Sequence, residues 1–305
     1  MTKSPDFPPK TLTAGQSSVI YELCGEHTPV MTAVPGENVV FEVLDCFGGL
    51  IKTESDLFDS VGWERINPAT GPLFIEGAEP GDTLAVEIKD IEVGDYGIMT
   101  AVPGMGARGD LVKKPSTMIV PVKNGLVYFG DHLIFEARPM IGVIGTAPAT
   151  GSVPTGTPGP HGGNMDTRVI VKGSTVYLPV FVRGALLAIG DLHALMGDGE
   201  VLMCGVEIPG RVTISTRLLR KKTLPCPVVE TGDAYYTVHS AQTLDEAASE
   251  LVGHSVSLMA TCTGRAPEEC LALLSIRGNL QISQIVDPLK TVRMEIPKSI
   301  LGSLL

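Results

Sequence analysis

The stretch Leu73-Phe-Ile-Glu-Gly-Ala-Glu-Pro-Gly-Asp-Thr-Leu-Ala-Val-Glu-Ile-Lys-Asp-Ile-Glu-Val93 sets the fold class. Its second half alternates Leu84, Val86 and Ile88 with Ala85, Glu87 and Lys89, the period of two that sends successive side chains to opposite faces of a strand. Before it stands Pro80-Gly81-Asp82, whose proline and glycine supply turn geometry. The stretch therefore reads as strand, turn and strand in one hairpin of the kind common in sandwiches.

The same grammar extends outward in both directions. Glu37 to Asp45 places Val39, Phe41, Val43 and Asp45 on one strand face. Asp45 then either has a partner or ends the strand in solvent before Cys46-Phe-Gly-Gly49, because a carboxylate buried alone costs several kcal/mol. Upstream, Val19, Tyr21 and Leu23 alternate, and the polar, proline-bearing residues 1–16 read as a loose arm or an edge that docks late. Asn67-Pro-Ala-Thr-Gly-Pro72 reads as a turn or loop, and Gly94 to Gly109 as a long loop or a pocket wall. Met118 to Val122 and Leu126 to Phe129 form a hairpin about Lys123-Asn-Gly125. Further strands are expected over Pro139–Gly145, Gly173–Val182, Gly184–Gly190, 201–218, 224–239 and Leu280–Pro288.

Helical character is confined to 243–252 and 266–276. Thr243 with Glu246 makes a capping box, and Pro267 at the first helical position precedes Glu268 and Glu269, which suit the positive end of a helix. The expected fold is mainly β, with a β-sandwich-like core and a smaller mixed α/β portion carrying two helices near the C-terminus. The expected organisation is an arm over 1–16, a β-sandwich part over 17–145, and a catalytic-loop and C-terminal α/β part over 146–305 of the same compact unit.

With 44% hydrophobic and 19% charged residues, 35 glycines and 23 prolines, the 305-residue chain is globular and turn-rich. A formal net charge of -11 argues against nucleic acid or an anionic membrane as partner. The basic runs Lys113-Lys114 and Arg220-Lys-Lys222 read as solvated turns. Six cysteines without a C-x-x-C pair read as reduced thiols, and no apolar run approaches the ~18 residues a bilayer needs. A soluble, cytoplasmic protein is the expectation.

Chemistry concentrates in two polar clusters. Thr155-Gly-Thr-Pro-Gly-Pro-His-Gly-Gly-Asn-Met-Asp166 is too rich in glycine and proline for a helix, and it lets backbone approach a ligand while presenting His161, Asn164 and Asp166. Gly190-Asp-Leu-His-Ala-Leu-Met-Gly-Asp-Gly-Glu200 follows after a strand-like segment. In extended chain Asp191 and His193 share a side, which suits a divalent ion, zinc included, or a His–carboxylate pair; Asp198 and Glu200 share that spacing. The plainer readings stay open: turn and cap roles for Asp198, Asn164 and Asp166, and a hydrogen-bonded His193 with no ligand. No G-x-S-x-G elbow, Walker lysine or G-x-G-x-x-G before a helix is present, so a serine nucleophile and a phosphate cradle lack support.

The segments Asn67–Pro72, Glu76-Gly-Ala-Glu-Pro-Gly-Asp82, His161-Gly-Gly-Asn-Met-Asp166, Gly173-Ser-Thr-Val-Tyr-Leu-Pro179 and Gly190–Ala194 with Gly197–Glu200 together resemble the acetamidase/formamidase family. Ile282-Ser-Gln-Ile-Val-Asp-Pro288 is a weaker echo, and the resemblance runs in order over residues 17 to 298. It implies a largely β, sandwich-like oligomer that hydrolyses short aliphatic amides to carboxylate and ammonia with a divalent metal, usually taken to be zinc. Carried over residue by residue, it places metal ligands among Asp45, Asp191 and His193, with Asp166, His161 and Glu200 in the same pocket. Glu200, or failing it Glu136, would move the proton; Asn164 would steady the oxyanion; Gly162, Gly163 and Met196 would line the substrate. The family commonly has Gln where this chain has Met196, which puts substrate preference in question. A larger or cyclic amide, and a metal- or small-ligand-binding β protein without turnover, are the alternatives.

Overall fold

Thr83–Val93 is an 11-residue strand in the middle of a nine-stranded sheet of the computed structural model, which describes residues 9–15 and 17–304. The sheet runs in the order Lys10–Leu12, Asn38–Val43, Gly210–Leu219, Thr83–Val93, Thr175–Pro179, Val228–Glu230, Ala234–Ala241, Lys290–Pro297 and Asn279–Gln284. The period of two decides which face each residue serves. Leu84, Val86 and Ile88 join one core with Val176 and Leu178, whereas Ala85 and Tyr177 point to the other side.

The first of these faces packs on a second sheet, in which Gly162–Asn164, Met140–Gly145, Leu187–His193, Ala69–Ile75 and Val19–Ile20 are neighbours and Met31–Ala33 adds in parallel to Ala69–Ile75. Phe41 and Val86 from one sheet and Leu73, Ile141, Ile144 and Ile189 from the other form one buried cluster, so the core is a sandwich. The opposite face of the large sheet is covered by helices Leu244–Thr263 and Pro267–Arg277 with their own apolar cluster. The fold is therefore mainly β, with the two expected helices near the C-terminus and a short third, Lys298–Leu301, after them.

Several local expectations change. Leu73–Ile75 and Thr83–Val93 are strands, but they are not a hairpin: the first belongs to Ala69–Ile75 in the second sheet, and the turn at 79–82 carries the chain between layers. A period-two pattern reports burial of a face and carries no information about the pairing partner. The loop reading of Asn67–Pro72 holds only at Asn67, which adopts φ 51, and Pro68, before the strand begins at Ala69. Within Gly94 to Gly109, Tyr96–Ala101 is a strand paired with Ser116–Lys123. Of 201–218 only Gly210–Leu219 is strand, and Asn279–Gln284 ends before Asp287.

Other local devices are found, with shifted bounds. Lys10–Leu12 is an edge strand beside Asn38–Val43; residues 1–8 and 16 of the expected arm lie outside the described residues. Asn124 and Gly125 turn the 116–129 hairpin with φ 51 and 75. Thr243 caps its helix through the Glu246 amide at 3.2 Å, with the Glu246 carboxylate returning to the Thr243 amide at 3.1 Å. That helix runs on to Thr263, well past Val252, because Leu258 and Met259 extend the apolar stripe; Ser255, Thr261 and Thr263 are accommodated by turning their hydroxyls onto carbonyls four residues earlier. Gly264 at φ 68 then stops it. No described helix is long and apolar enough to cross a membrane.

Candidate active site

Strand Met140–Gly145, buried at every position, brings the two polar clusters together. Leu187–His193 runs antiparallel along one of its edges, with His193 opposite Met140, and Gly162–Asn164 along the other, with Asn164 opposite Val143. Asp191 and His193 therefore sit on a central strand, and Asp166 arrives from the far side. A Cβ at Gly142 would collide with Asp166 Oδ1 and Asp191 Oδ2, so the missing side chain is what lets the two carboxylates meet. Asp166, Asp191 and Glu200 adopt positive φ of 40°, 56° and 47°, a backbone state that costs a non-glycine residue about 1–2 kcal/mol and is concentrated at functional sites.

Around the His193 imidazole the acids converge. Its Nε2 lies 2.8 Å from Glu207 Oε1, 3.3 Å from Glu200 Oε1 and 3.9 Å from Asp166 Oδ1. Asn67 donates from Nδ2 to Asp191 Oδ2 at 3.4 Å, and Asn164 donates from Nδ2 to Asp287 Oδ2 at 3.0 Å. These residues line a cavity of about 850 Å³ together with Cys46, Phe47, Phe58 and Trp63.

The electrostatics follow from burial and crowding. Burial, reinforced by Glu200, Asp287 and Asp191, raises the Asp166 carboxyl well above its ordinary range, and burial with Glu207 does the same to Asp191. Asp287 is raised by burial and Glu200. For His193 burial alone would favour the neutral ring, but the Glu207 and Asp191 charges outweigh it and raise the imidazole well above its usual value. Among the described residues, none of Asp166, Asp191, Glu200 and Glu207 pairs with a lysine or arginine, and Asp166 Oδ1 and Glu207 Oε2 have no hydrogen-bond partner.

Four buried acids facing one imidazole are a poor structural device, since each unpaired buried charge costs several kcal/mol. Ligand atoms of Asp166, Asp191 and His193 all lie within 4.8 Å of one another, as do those of His193, Glu200 and Glu207 and those of Cys46, Asp191 and Glu207. These groups could hold a metal ion. Carboxylate and imidazole donors suit a divalent one.

The family model described as the acetamidase/formamidase family matches residues 24–153 and 149–301. The chain belongs to the acetamidase/formamidase family. A solved acetamidase from Bacillus halodurans is 45% identical and superposes with a TM-score of 0.93 over 96% of this chain and 100% of that one. A predicted acetamidase/formamidase from Thermoanaerobacter tengcongensis is 44% identical, with a TM-score of 0.94 over 97% and 98% of the two chains. The acetamidase of Mycolicibacterium smegmatis is 40% identical over 62% of this chain and 63% of its own length. The chain spans about three-fifths of the length of the curated relatives it matches.

Within this family member the expected site residues fall into three sets. Asn164, Asp166, Asp191, His193 and Glu200 line the cavity. Asp45, His161, Gly162, Gly163 and Met196 are buried close by in sequence but do not line it. Asp45 uses Oδ1 to accept the amides of Phe47 at 2.9 Å and Gly49 at 3.2 Å, a turn that delivers Cys46 and Phe47 to the cavity wall; burial raises its carboxyl despite those two bonds. Gly162 and Gly163 adopt φ 95 and 78, and a Cβ on Gly163 would press on His161 Nε2 at 3.0 Å. Glu136 stands apart. It lies on the exposed edge strand Leu133–Glu136, its carboxylate open to solvent near Arg138, so the reserve role as proton carrier is withdrawn.

Three contributors were missed from sequence: Glu207, Asp287 and Gly142. Glu207 sits in the apolar run Cys204-Gly-Val-Glu-Ile-Pro209, where a Cβ on Gly205 would lie 2.5 Å from His193 Cδ2. An acid two residues from a glycine in such a run was the available signal. Asp287 is set by Gln284, whose Oε1 accepts the amides of Val286 at 2.9 Å and Asp287 at 3.0 Å.

Proposed function

We propose that this chain hydrolyses a carboxamide to a carboxylate and ammonia, with a divalent cation, zinc being the first choice, held by Asp166, Asp191 and His193. One observation carries the reading: a family member buries four acids around one imidazole in the lining of a cavity with ample room for an amide. When bound there, such a cation polarises the amide carbonyl and makes water easier to deprotonate. The rest falls to the chain's own side chains.

Glu200 Oε1 faces the cavity beside His193 and is assigned the proton: it takes one from the attacking water and returns it to the departing nitrogen. Glu207, held by the Gly205 amide at 2.8 Å and lying 2.8 Å from His193 Nε2, shares the imidazole edge that Glu200 faces and adds its charge to the cation side of the site. Asn164 has one amide hydrogen committed to Asp287; the other, and its unpartnered Oδ1, serve the substrate's oxygen and NH2 group. The six cysteines are all free, which supports a reducing, cytoplasmic setting, and we read the protein as a homo-oligomer on family grounds.

Ammonia release from formamide and acetamide tests the proposal directly. Activity is expected from protein loaded with a divalent metal, with loss on chelation and recovery on adding the metal back. Undiminished turnover by a fully chelated preparation would overturn the metal-dependent part, and no ammonia from any amide would overturn the whole.

A further inference from the structure

The cavity is far larger than the substrates of the family name require. Acetamide has four non-hydrogen atoms, roughly the space of four waters or ~120 Å³, against a cavity of about 850 Å³. Volumes of this order accommodate ligands many times larger than acetamide. Its lining, moreover, combines the acids around His193 with the aromatic rings of Phe47, Phe58 and Trp63.

Those rings form a ladder. Phe47, 1% exposed, follows Cys46, whose thiol lies with Asp191 and Glu207. Phe58, 5% exposed, meets Phe47 edge to face at 6.3 Å and 81°. Trp63, the chain's single tryptophan, meets Phe58 at 4.8 Å and 64° and is 55% exposed at the rim. Phe47 and Phe58 belong to a small apolar cluster separate from the sandwich core, with Met203 packed against it. Aromatics are 5% of this chain, so three rings in serial edge contact along one cavity is a local concentration. A half-exposed indole beside a cavity presents an unused ring face to whatever enters.

We propose that this ladder is an acyl-group subsite and that the substrate is a primary carboxamide bearing an aromatic ring one or two bonds from the carbonyl. The proposal rests on the hydrolase reading above and names its substrate class. The carboxamide sits among the acids around His193 while the ring continues the edge-to-face series toward Trp63. The reaction balances as ordinary hydrolysis. Water oxygen bonds to the acyl carbon, the C–N bond breaks, one water proton goes to the departing nitrogen and the second passes from the new carboxylic acid to the ammonia, so that an aryl-bearing carboxylate and ammonium leave.

The test uses metal-loaded, full-length protein with acetamide, hexanamide and phenylacetamide. Because Trp63 is the only tryptophan, its emission reports ring occupancy independently of turnover, read as the first amplitude after rapid mixing. Phenylacetamide is expected to change that emission saturably and to exceed acetamide in kcat/KM by tenfold or more. Trp63→Ala, a rim substitution with little packing to lose, is expected to lower the phenylacetamide-to-acetamide ratio of kcat/KM by about three- to tenfold, the size of one aromatic contact. An emission change with phenylacetamide but no ammonia from any amide would support the subsite while overturning the hydrolase reading. Turnover of acetamide with no phenylacetamide signal or reaction would do the reverse. Hexanamide outperforming phenylacetamide, or a ratio unmoved by Trp63→Ala, would overturn the aromatic assignment.

Discussion

The sandwich interface and the acids around His193 are buried to the same degree, yet burial works in opposite directions in the two. Phe41, Val86, Ile141 and Ile189 lose water and gain close contacts, each contributing about 1.5–3 kcal/mol. Asp166, Asp191, Glu200 and Glu207 lose water and face one another. Glycine at 142 and left-handed backbone at three of the acids hold this arrangement in place against its own repulsion. The first region stabilises the fold; the second draws on that stability to keep acids together that could hold a cation.

The contrast can be broken most directly by one substitution in each region. Phe41→Ala should lower unfolding free energy by about 3–5 kcal/mol in denaturant melts. Glu200→Gln should cut amide turnover by ~10³-fold yet leave the chelated protein equally or more stable, since Glu200 raises both Asp166 and Asp287. A stability loss in Glu200→Gln approaching that of Phe41→Ala would show that the acids are structural after all.

A second, smaller effect concerns His161, which is buried without a partner for Nε2. Burial lowers its pKa from 6.5 to about 4. A histidine depressed in the fold contributes fully above its unfolded value and its contribution is lost as pH falls toward the folded one, here about 3 kcal/mol between pH 6.5 and 4. Denaturant melts across that window should show His161→Leu losing correspondingly less stability than the parent. Equal acid sensitivity in both proteins would remove His161 from the account. The smallest effect lies in the helical layer, where Thr243→Ala should cost about 1 kcal/mol by removing the capping box, read as a lower melting temperature with unchanged turnover.

Much of this was legible in the residues. Alternation at 83–93, the Asn124-Gly125 turn and the Thr243 cap are local devices, and the structure realises each of them. Asp191 and His193 were legible as a polar pair two residues apart on a strand-like run, although the left-handed backbone at Asp191, φ 56, departs from plain alternation. Glu136 misled because acidity was weighed without exposure, and 73–93 misled because a strand's pattern does not name its neighbour. Glu207 and Asp287 come from runs that read as ordinary strand, and only their approach to His193 and Asn164 gives them a role.

By itself the sequence determined the strands, turns and caps, the family, and the two clusters rich in acid, histidine and glycine, because each is encoded within a few consecutive residues. The tertiary structure decided the pairing of sheets, the convergence of Asp166, Asp191, Glu200 and Glu207 on His193, and the aromatic rings lining the same cavity. The reason is physical. Side-chain period and turn chemistry act over neighbouring bonds, whereas the meeting of residues 46, 166, 191 and 207 depends on which sheet edge each strand finds, and that is settled only when the whole apolar interface closes.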